Sequence, residues 1–256
     1  MRRMPLVLVL AVFTAAPAGG TTIRIPLDFS TVQEGIQAAS DGDTVLVYPG
    51  PYPENLSFLG KEIVVGSRMI ETGDPAYIDS TFLEPGMVFL APIVSFTNGE
   101  GFGAVLTGFT IRNGTATNGG GVSCSYAFPK ILKNRFVNNT AHQDGGGVYI
   151  DHGGPTIADC AFEGNRALAT DGGGVYAWVA APIIHRSEFF GNYAGFRGAG
   201  IYCEHSDPTI TDNVIHDNLC ADYYGGGIAS RNCASIITGN VIHDNRSVQY
   251  GGGLFY

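Results

Sequence analysis

The stretch from residue 145 to residue 165, GGGVYIDHGGPTIADCAFEGN, contains every element of a repeat that organises most of the chain. It opens with a glycine triplet, and proline, isoleucine, phenylalanine and asparagine follow the last glycine by eight, ten, fifteen and eighteen residues. The triplet returns every 26 or 27 residues, with its last glycine at Gly121, Gly147, Gly174, Gly200, Gly227 and Gly253. The asparagine returns without exception, at Asn139, Asn165, Asn192, Asn218 and Asn245. A period of this length predicts a solenoid.

Each repeat has room for three short strands and for no helix. The first strand follows the glycines, as in Val148-Tyr149-Ile150; the second follows the proline, and the third carries the aromatic residue and ends at the asparagine. Strands this short cannot bury a core alone, so each coil must stack on its neighbours about 4.8 Å away. We therefore predict an all-β, right-handed parallel β-helix with a ladder of stacked asparagines.

The domain boundaries are predicted from the segments in which the repeat is regular. Residues 1–18 read as a signal peptide, because Arg2 and Arg3 precede a short apolar run and an Ala16-Pro17-Ala18 cleavage site. Residues 19–256 form one domain, with a cap over 19–42, irregular coils over 43–118 and regular coils over 119–256. The cap should hold a short helix, introduced by a capping box at residues 30–33. Residues 71–92 break the rhythm and predict a lateral loop.

Composition narrows the function classes. The 256 residues include 37 glycines and only 14% charged residues, with a net charge of −9, so no basic surface is available for nucleic acid. The signal peptide predicts a secreted or cell-surface protein without a membrane span after cleavage. We expect a monomer, and the stop at Tyr256, four residues into a coil, indicates a truncated product. The five cysteines show no metal-binding spacing and are expected to be small buried side chains.

Two stretches resemble known families. Residues 28–39, followed by Gly42-Asp43-Thr44 and by residues 49–55, resemble the pectin lyase-like superfamily, and the opening is similar to that of pectin methylesterases. The repeats resemble bacterial right-handed β-helix repeat proteins, including chlamydial polymorphic outer-membrane proteins. The resemblance implies the fold and leaves the activity open, because the superfamily includes lyases, hydrolases, esterases, epimerases, adhesins and scaffolds. The catalytic segments of its methylesterases, pectate lyases and polygalacturonases are absent from the sequence.

The first strand of each repeat predicts a candidate glycan-binding face. By alternation, the residue two positions after the last glycine should face solvent, which places Tyr149, Tyr176 and Tyr202 in one exposed column. Two positions further lie Asp151, the single tryptophan Trp178, Glu204 and Arg231. Aromatic rings beside polar groups are suited to sugar recognition, although a tyrosine ladder also stabilises a sheet by stacking. The predicted glycan-binding residues are Tyr149, Tyr176, Trp178 and Tyr202.

The sequence also allows catalysis and metal binding. Asp151 and Glu204, two coils apart, could act as the carboxylate pair of a hydrolase, with Arg231 stabilising developing negative charge. The stacked pairs His216-Asp217 and His243-Asp244 could hold a metal ion. Calcium between the acidic loops that carry Asp144, Asp171 and Asp222 is a further candidate ion.

The sequence therefore favours an exported β-helix module that binds polysaccharide or glycan without strong catalysis. A polysaccharide lyase or glycoside hydrolase is the first alternative. An adhesin or structural passenger domain is the second.

Overall fold

The computed structural model describes residues 20–256, so the predicted signal peptide over 1–18 lies outside the described residues. The chain winds into a β-solenoid in which every strand pairs in parallel with the equivalent strand of the next coil. This confirms the predicted parallel β-helix. One nine-stranded sheet, two eight-stranded sheets and one six-stranded sheet run along its length. A regular coil passes in order through the sheets defined below as C, A, B and D.

The strands of each sheet are as follows. Sheet A contains Thr22–Ile25, Thr44–Val47, Val64–Ser67, Val105–Thr107, Lys130–Leu132, Thr156–Ala158, Ile183–His185, Thr209–Thr211 and Ile236–Thr238. Sheet B contains Gly50–Pro53, Thr81–Glu84, Thr110–Arg112, Arg135–Val137, Ala161–Glu163, Glu188–Phe190, Val214–His216 and Val241–His243. Sheet C contains Leu56–Ser57, Val94–Phe96, Val122–Ser125, Val148–Asp151, Val175–Trp178, Ile201–Glu204, Ile228–Arg231 and Leu254–Phe255. Sheet D contains Thr115–Ala116, Thr140–Ala141, Arg166–Ala167, Tyr193–Ala194, Leu219–Cys220 and Arg246–Ser247.

Sheet D is formed by a fourth strand in each regular coil, and this strand was not expected from the sequence. The three predicted strands correspond to sheets C, A and B, and a two-residue strand follows each ladder asparagine. The residues that directly follow the asparagines are paired between adjacent coils. Thr140, for example, pairs with Arg166. The one-residue variation in repeat length falls after this pair, so the variation leaves the fourth strand intact.

The interior is filled by stacked identical side chains. The rings of Phe136, Phe162 and Phe189 lie parallel with centroids 4.5 Å apart, and all three are fully buried. Such stacks bury a large apolar area in every coil and fix the register, because a slip of one residue would turn each ring outward.

The asparagines form the predicted ladder. The Nδ2 group of Asn165 donates to Oδ1 of Asn192 at 3.0 Å, and Asn192 donates in the same way to Asn218 at 2.9 Å. Each Nδ2 also donates to a carbonyl of an earlier coil, as Asn192 does to Phe162 at 2.9 Å. These bonds satisfy buried polar groups at the bend that leads from sheet B to sheet D.

A second ladder occupies the bend between sheets A and B. Its five members stand thirteen residues after the last glycine, and each accepts a hydrogen bond from the backbone N–H of its counterpart one coil earlier. They are Asn134, Cys160, Ser187, Asn213 and Asn240. The Cys160 thiol therefore substitutes for a hydroxyl or an amide, and burial raises its pKa to about 12. All five cysteines are free thiols; four are buried and Cys233 is half-buried, which confirms the expectation of small buried side chains.

The N-terminal region departs from the prediction in two details. The helix Val32–Ala38 is present, but its capping box joins Thr31 to Glu34 rather than spanning residues 30–33. A strand, Thr22–Ile25, precedes this helix and pairs with Thr44–Val47, so sheet A begins before residue 43. None of the helices within residues 20–256 is long and apolar enough to cross a bilayer.

Residues 71–92 are not one continuous loop, and that prediction is wrong. The helix Met69–Thr72 and the 3₁₀ helix Pro75–Tyr77 form a first excursion from the coil. The strand Thr81–Glu84 then returns to sheet B, pairing with Gly50–Pro53 on one side and with Thr110–Arg112 on the other. A second, shorter excursion follows over residues 85–93.

Candidate functional site

The structure confirms the register predicted for the outer face of sheet C. Asp151 pairs with Trp178, Trp178 with Glu204, and Glu204 with Arg231, so the four residues form one column along the solenoid. Tyr149, Tyr176 and Tyr202 form the neighbouring column. All the predicted glycan-binding and catalytic residues therefore share one face.

The expected exposure is wrong for two of the three tyrosines, Tyr176 and Tyr202. Tyr176 is 6% exposed and Tyr202 is 0% exposed, whereas Tyr149 and Trp178 are half-buried. The segment between sheet D and the glycines folds back over sheet C and covers the rings. Its residues immediately before the triplet stack coil on coil and are named here the pre-glycine column: Asp144, Asp171, Arg197, Tyr224 and Tyr250.

Glycine at the start of each triplet permits this close cover. Gly172 has φ +69°, and a Cβ there would lie 2.7 Å from Cβ of Tyr176. A side chain would therefore push the pre-glycine column away from the sheet. Tyr176 and Tyr202 consequently belong to a buried aromatic cluster with Tyr224 and Ala229, and they cannot contact a ligand in this conformation.

A buried ion pair lies within the cover. The Arg197 guanidinium donates to both carboxylate oxygens of Asp171, at 3.1 and 2.7 Å, and lies over the Tyr202 ring at 4.6 Å from its centroid. Burial raises the pKa of Asp171 to about 6, although the bond from Arg197 opposes that rise. Burial also raises the pKa of Asp144, whose carboxylate accepts from the Thr170 hydroxyl at 2.6 Å.

The two carboxylates considered for catalysis differ in burial and in their partners. Glu204 is buried, accepts from Arg231 at 2.8 Å and has Arg197 at 3.9 Å. Asp151 is half-buried and contacts His152 and Ser125. Glu204 is thus enclosed between two guanidinium groups, and Arg231 is occupied in neutralising it. This arrangement favours a structural role for Glu204 and Arg231 over acid–base chemistry.

The accessible part of this face is a strip around Trp178, of which the sequence had indicated only the tryptophan. It contains Trp178 and four residues that stand five positions after the last glycine: Tyr126, His152, Val179 and His205. We call these five residues the Trp178 strip. Asn232 has the same position and the same backbone conformation on the following coil. Tyr126, Val179 and His205 are exposed, and His152 is half-buried. The shared position in the repeat could have revealed the strip, but the residues there differ in type.

Backbone conformation and ring packing define the strip. Its four turn residues have φ between 47° and 52°, a left-handed conformation that ends each strand of sheet C. The rings of Tyr126 and His152 stack at 4.9 Å, and His205 meets Trp178 edge to face at 5.3 Å. A depression of about 330 Å³ beside the strip is lined by Phe128, His152, Gly153, Val179, Ala180, Ala181, His205 and Asp207.

The metal-site candidates show a different arrangement. The rings of His216 and His243 stack at 5.0 Å, and each Nδ1 contacts the following aspartate, at 2.7 Å for Asp217 and 2.8 Å for Asp244. The hydrogen bond to Asp217 raises the pKa of His216. Within residues 20–256, no group of three or more His, Cys, Asp or Glu side chains is placed to hold a metal ion. Both carboxylate oxygens of Asp171, a calcium candidate with Asp144 and Asp222, are bound by Arg197.

A larger depression, of about 590 Å³, lies at the bend between sheets A and B. Its charged residues are largely neutralised within the chain, because Arg186 binds Asp159 at 2.8 and 3.0 Å and Arg135 binds Asp79 at 2.6 Å. No aromatic side chain lines it. The Trp178 strip is therefore the better candidate for a binding site.

These features define a repeat protein of the parallel β-helix class with a partly covered aromatic face. A family model described as "right handed beta helix region" matches residues 93–256, well over half of the chain. The chain belongs to this family. No curated protein and no solved structure matches the chain.

Proposed function

We propose that this chain is an exported β-helix module that binds polysaccharide or glycan through the Trp178 strip. The observation that carries the proposal is the half-exposed Trp178, in register with Asp151 and packed against His205. A tryptophan at the surface of a rigid sheet, with polar side chains at its edges, is suited to stacking on a sugar face.

The polar neighbours supply hydrogen bonds to hydroxyl groups. Nε2 of His152 and the imidazole nitrogens of His205 can donate or accept, whereas Nδ1 of His152 already contacts Asp151. The carboxylates of Asp151 and Asp207 can accept. Because the strip is built on paired strands and stacked rings, little side-chain freedom is lost on binding.

Charge favours a neutral glycan over an acidic one. The chain carries a net charge of −9, and Asp151 and Asp207 flank the strip. Arg231, the nearest cation in the column, is bound to Glu204. An acidic polysaccharide would meet like charge here, so we expect it to bind more weakly unless a divalent cation bridges the two.

The test uses Trp178 as its own reporter, since it is the single tryptophan. The chain from Gly19, the expected product of signal cleavage, is titrated with neutral and acidic oligosaccharides, with and without calcium, while Trp178 emission is followed. A saturable shift with a neutral glycan is the expected result. No shift with any glycan, in protein shown by circular dichroism to be folded, would contradict the proposal and favour a structural passenger.

The location of binding is tested with a matched pair of variants that keep the reporter. His205→Ala removes the ring that packs on Trp178, whereas His243→Ala removes an exposed histidine on sheet B. We expect a loss of affinity of about tenfold in His205→Ala and no change in His243→Ala. Equal affinities would show that the ligand lies elsewhere.

A further inference from the structure

The excursion over residues 85–93 carries an apolar tip in open solvent. Met87 is 103% exposed, Val88 is 61% exposed and Phe89 is 88% exposed. Scattered apolar residues are normal on a surface, but three in sequence at the end of a projecting turn are not. The glycan proposal makes no use of this tip.

Two hydrogen bonds of the Asn55 side chain hold the turn. Asn55 donates from Nδ2 to the Pro92 carbonyl at 2.8 Å and accepts at Oδ1 from the Val88 N–H at 3.2 Å. One side chain therefore joins both arms of the turn. Leu90 adopts φ +52°, a conformation that is costly for a residue with a side chain. The turn is thus fixed in a shape that points Met87 and Phe89 outward.

The base of the turn is electrically neutral. Glu84 and Arg112 form an ion pair at 2.7 Å, and the Arg112 guanidinium lies over the Phe82 ring at 3.8 Å. From Pro85 to Gly99 the sequence contains no ionisable side chain. Insertion of the tip into an apolar phase would therefore not require burial of a charge.

We infer that this turn, residues 85–92, inserts Met87 and Phe89 into the interfacial region of a lipid bilayer. A narrow convex tip with freely exposed side chains can enter between lipid headgroups, whereas protein interfaces are usually broad and rimmed by polar contacts. The net charge of −9 selects the kind of lipid, because an anionic surface would repel the protein. The surface it fits is a zwitterionic one.

The experiment is flotation of the chain from Gly19 with phosphatidylcholine vesicles, compared with vesicles that also contain phosphatidylglycerol. We expect binding to the zwitterionic vesicles and weaker binding to the anionic ones. The double variant Met87→Ser/Phe89→Ser should bind about tenfold less. The matched control Leu27→Ser/Phe102→Ser removes two exposed apolar side chains from other sites and should bind as the parent does.

A second readout reports insertion directly. Phe89→Trp is made in a Trp178→Phe background, so that the only tryptophan lies at the tip. Its emission should shift to the blue with phosphatidylcholine vesicles and be quenched by brominated acyl chains. Absence of vesicle binding, or equal binding by the tip variant and the parent, would overturn the inference. Self-association in analytical ultracentrifugation that the tip variant abolishes would overturn it too, because the occupant would then be a second copy.

Discussion

Arg197 binds Asp171 through two hydrogen bonds, of 2.7 and 3.1 Å, and both side chains are largely buried on the outer face of sheet C. The pair lies on adjacent coils of the pre-glycine column, and the guanidinium covers Tyr202. The pair therefore joins two coils of the covering segment, and the guanidinium packs that segment against the Tyr202 ring of the sheet beneath. The stability of this cover should depend on the charge of Asp171.

Stability is expected to fall with rising pH through the titration of Asp171. Burial raises the pKa of this carboxyl to about 6, above its ordinary value of 3.8. The folded state therefore binds the proton more tightly than the unfolded state. The contribution of Asp171 is fully present below pH 3.8 and is lost as the pH rises through 6, which amounts to about 3 kcal/mol.

The measurement is the difference in free energy of unfolding between the parent and Asp171→Asn, from urea denaturation at pH 4, 5, 6 and 7. This difference should change in favour of the variant as the pH rises. Asp222→Asn, at an exposed position of a neighbouring loop, makes the same change in net charge and serves as the control. A flat difference for Asp171→Asn would show that Asp171 does not titrate as the buried pair requires.

The asparagine ladder should contribute most to the free energy of unfolding in the middle of the solenoid. Asn192 is fully buried; it donates to Phe162 and Asn218 and accepts two bonds from Asn165. Asn192→Ala leaves these buried partners unsatisfied, and we expect a loss of about 4 kcal/mol in the free energy of unfolding.

Asn245→Ala is the matched comparison at the end of the same ladder. Asn245 makes a similar set of bonds but is half-buried, so water can replace the lost partners. We expect a loss of less than about 2 kcal/mol for this variant. Equal losses at the two positions, measured by chemical denaturation, would argue against burial as the source of the ladder's contribution.

The last and the middle glycine of a triplet should differ in how well they tolerate substitution by alanine. A Cβ on Gly174 would lie 2.5 Å from the Gly200 carbonyl oxygen and 3.0 Å from the Phe189 ring. A Cβ on Gly173, the middle position, would also meet carbonyl oxygens, but the next coil already carries Ala199 at that position, fully buried. The backbone can therefore adjust at the middle position.

We expect Gly174→Ala to lower the free energy of unfolding by about 3 kcal/mol and Gly173→Ala by about 1 kcal/mol. Thermal unfolding followed by circular dichroism would rank the two variants. The reverse order would mean that the packing of the phenylalanine stack adapts more readily than the backbone of the bend.

Periodicity allowed the fold and the register of the candidate face to be predicted. The fixed interval between glycines places Asp151, Trp178 and Glu204 on successive coils, and the structure has them paired in that order. The sequence also indicated which side chains of a strand point inward and which point outward, because side chains alternate along a strand. The sequence spacing could therefore identify which residues share a face.

Exposure could not be predicted in the same way. Alternation points Tyr202 outward, but the Arg197 segment lies over it, and the path of a loop is not encoded in the alternation of a strand. The second ladder was missed for a related reason. Its members are chemically different, and only the structure shows that the thiol of Cys160 and the hydroxyl of Ser187 accept equivalent backbone bonds.

Contact between Trp178 and a glycan can be measured by affinity electrophoresis in polysaccharide-containing gels. Trp178→Ala is compared with Phe190→Ala, which removes another half-buried ring, one that stacks on His216 at 5.5 Å on sheet B. We expect a neutral polysaccharide to retard the parent and Phe190→Ala equally, and to retard Trp178→Ala about tenfold less. Equal retardation of all three proteins, or none of any, would contradict contact between Trp178 and a glycan.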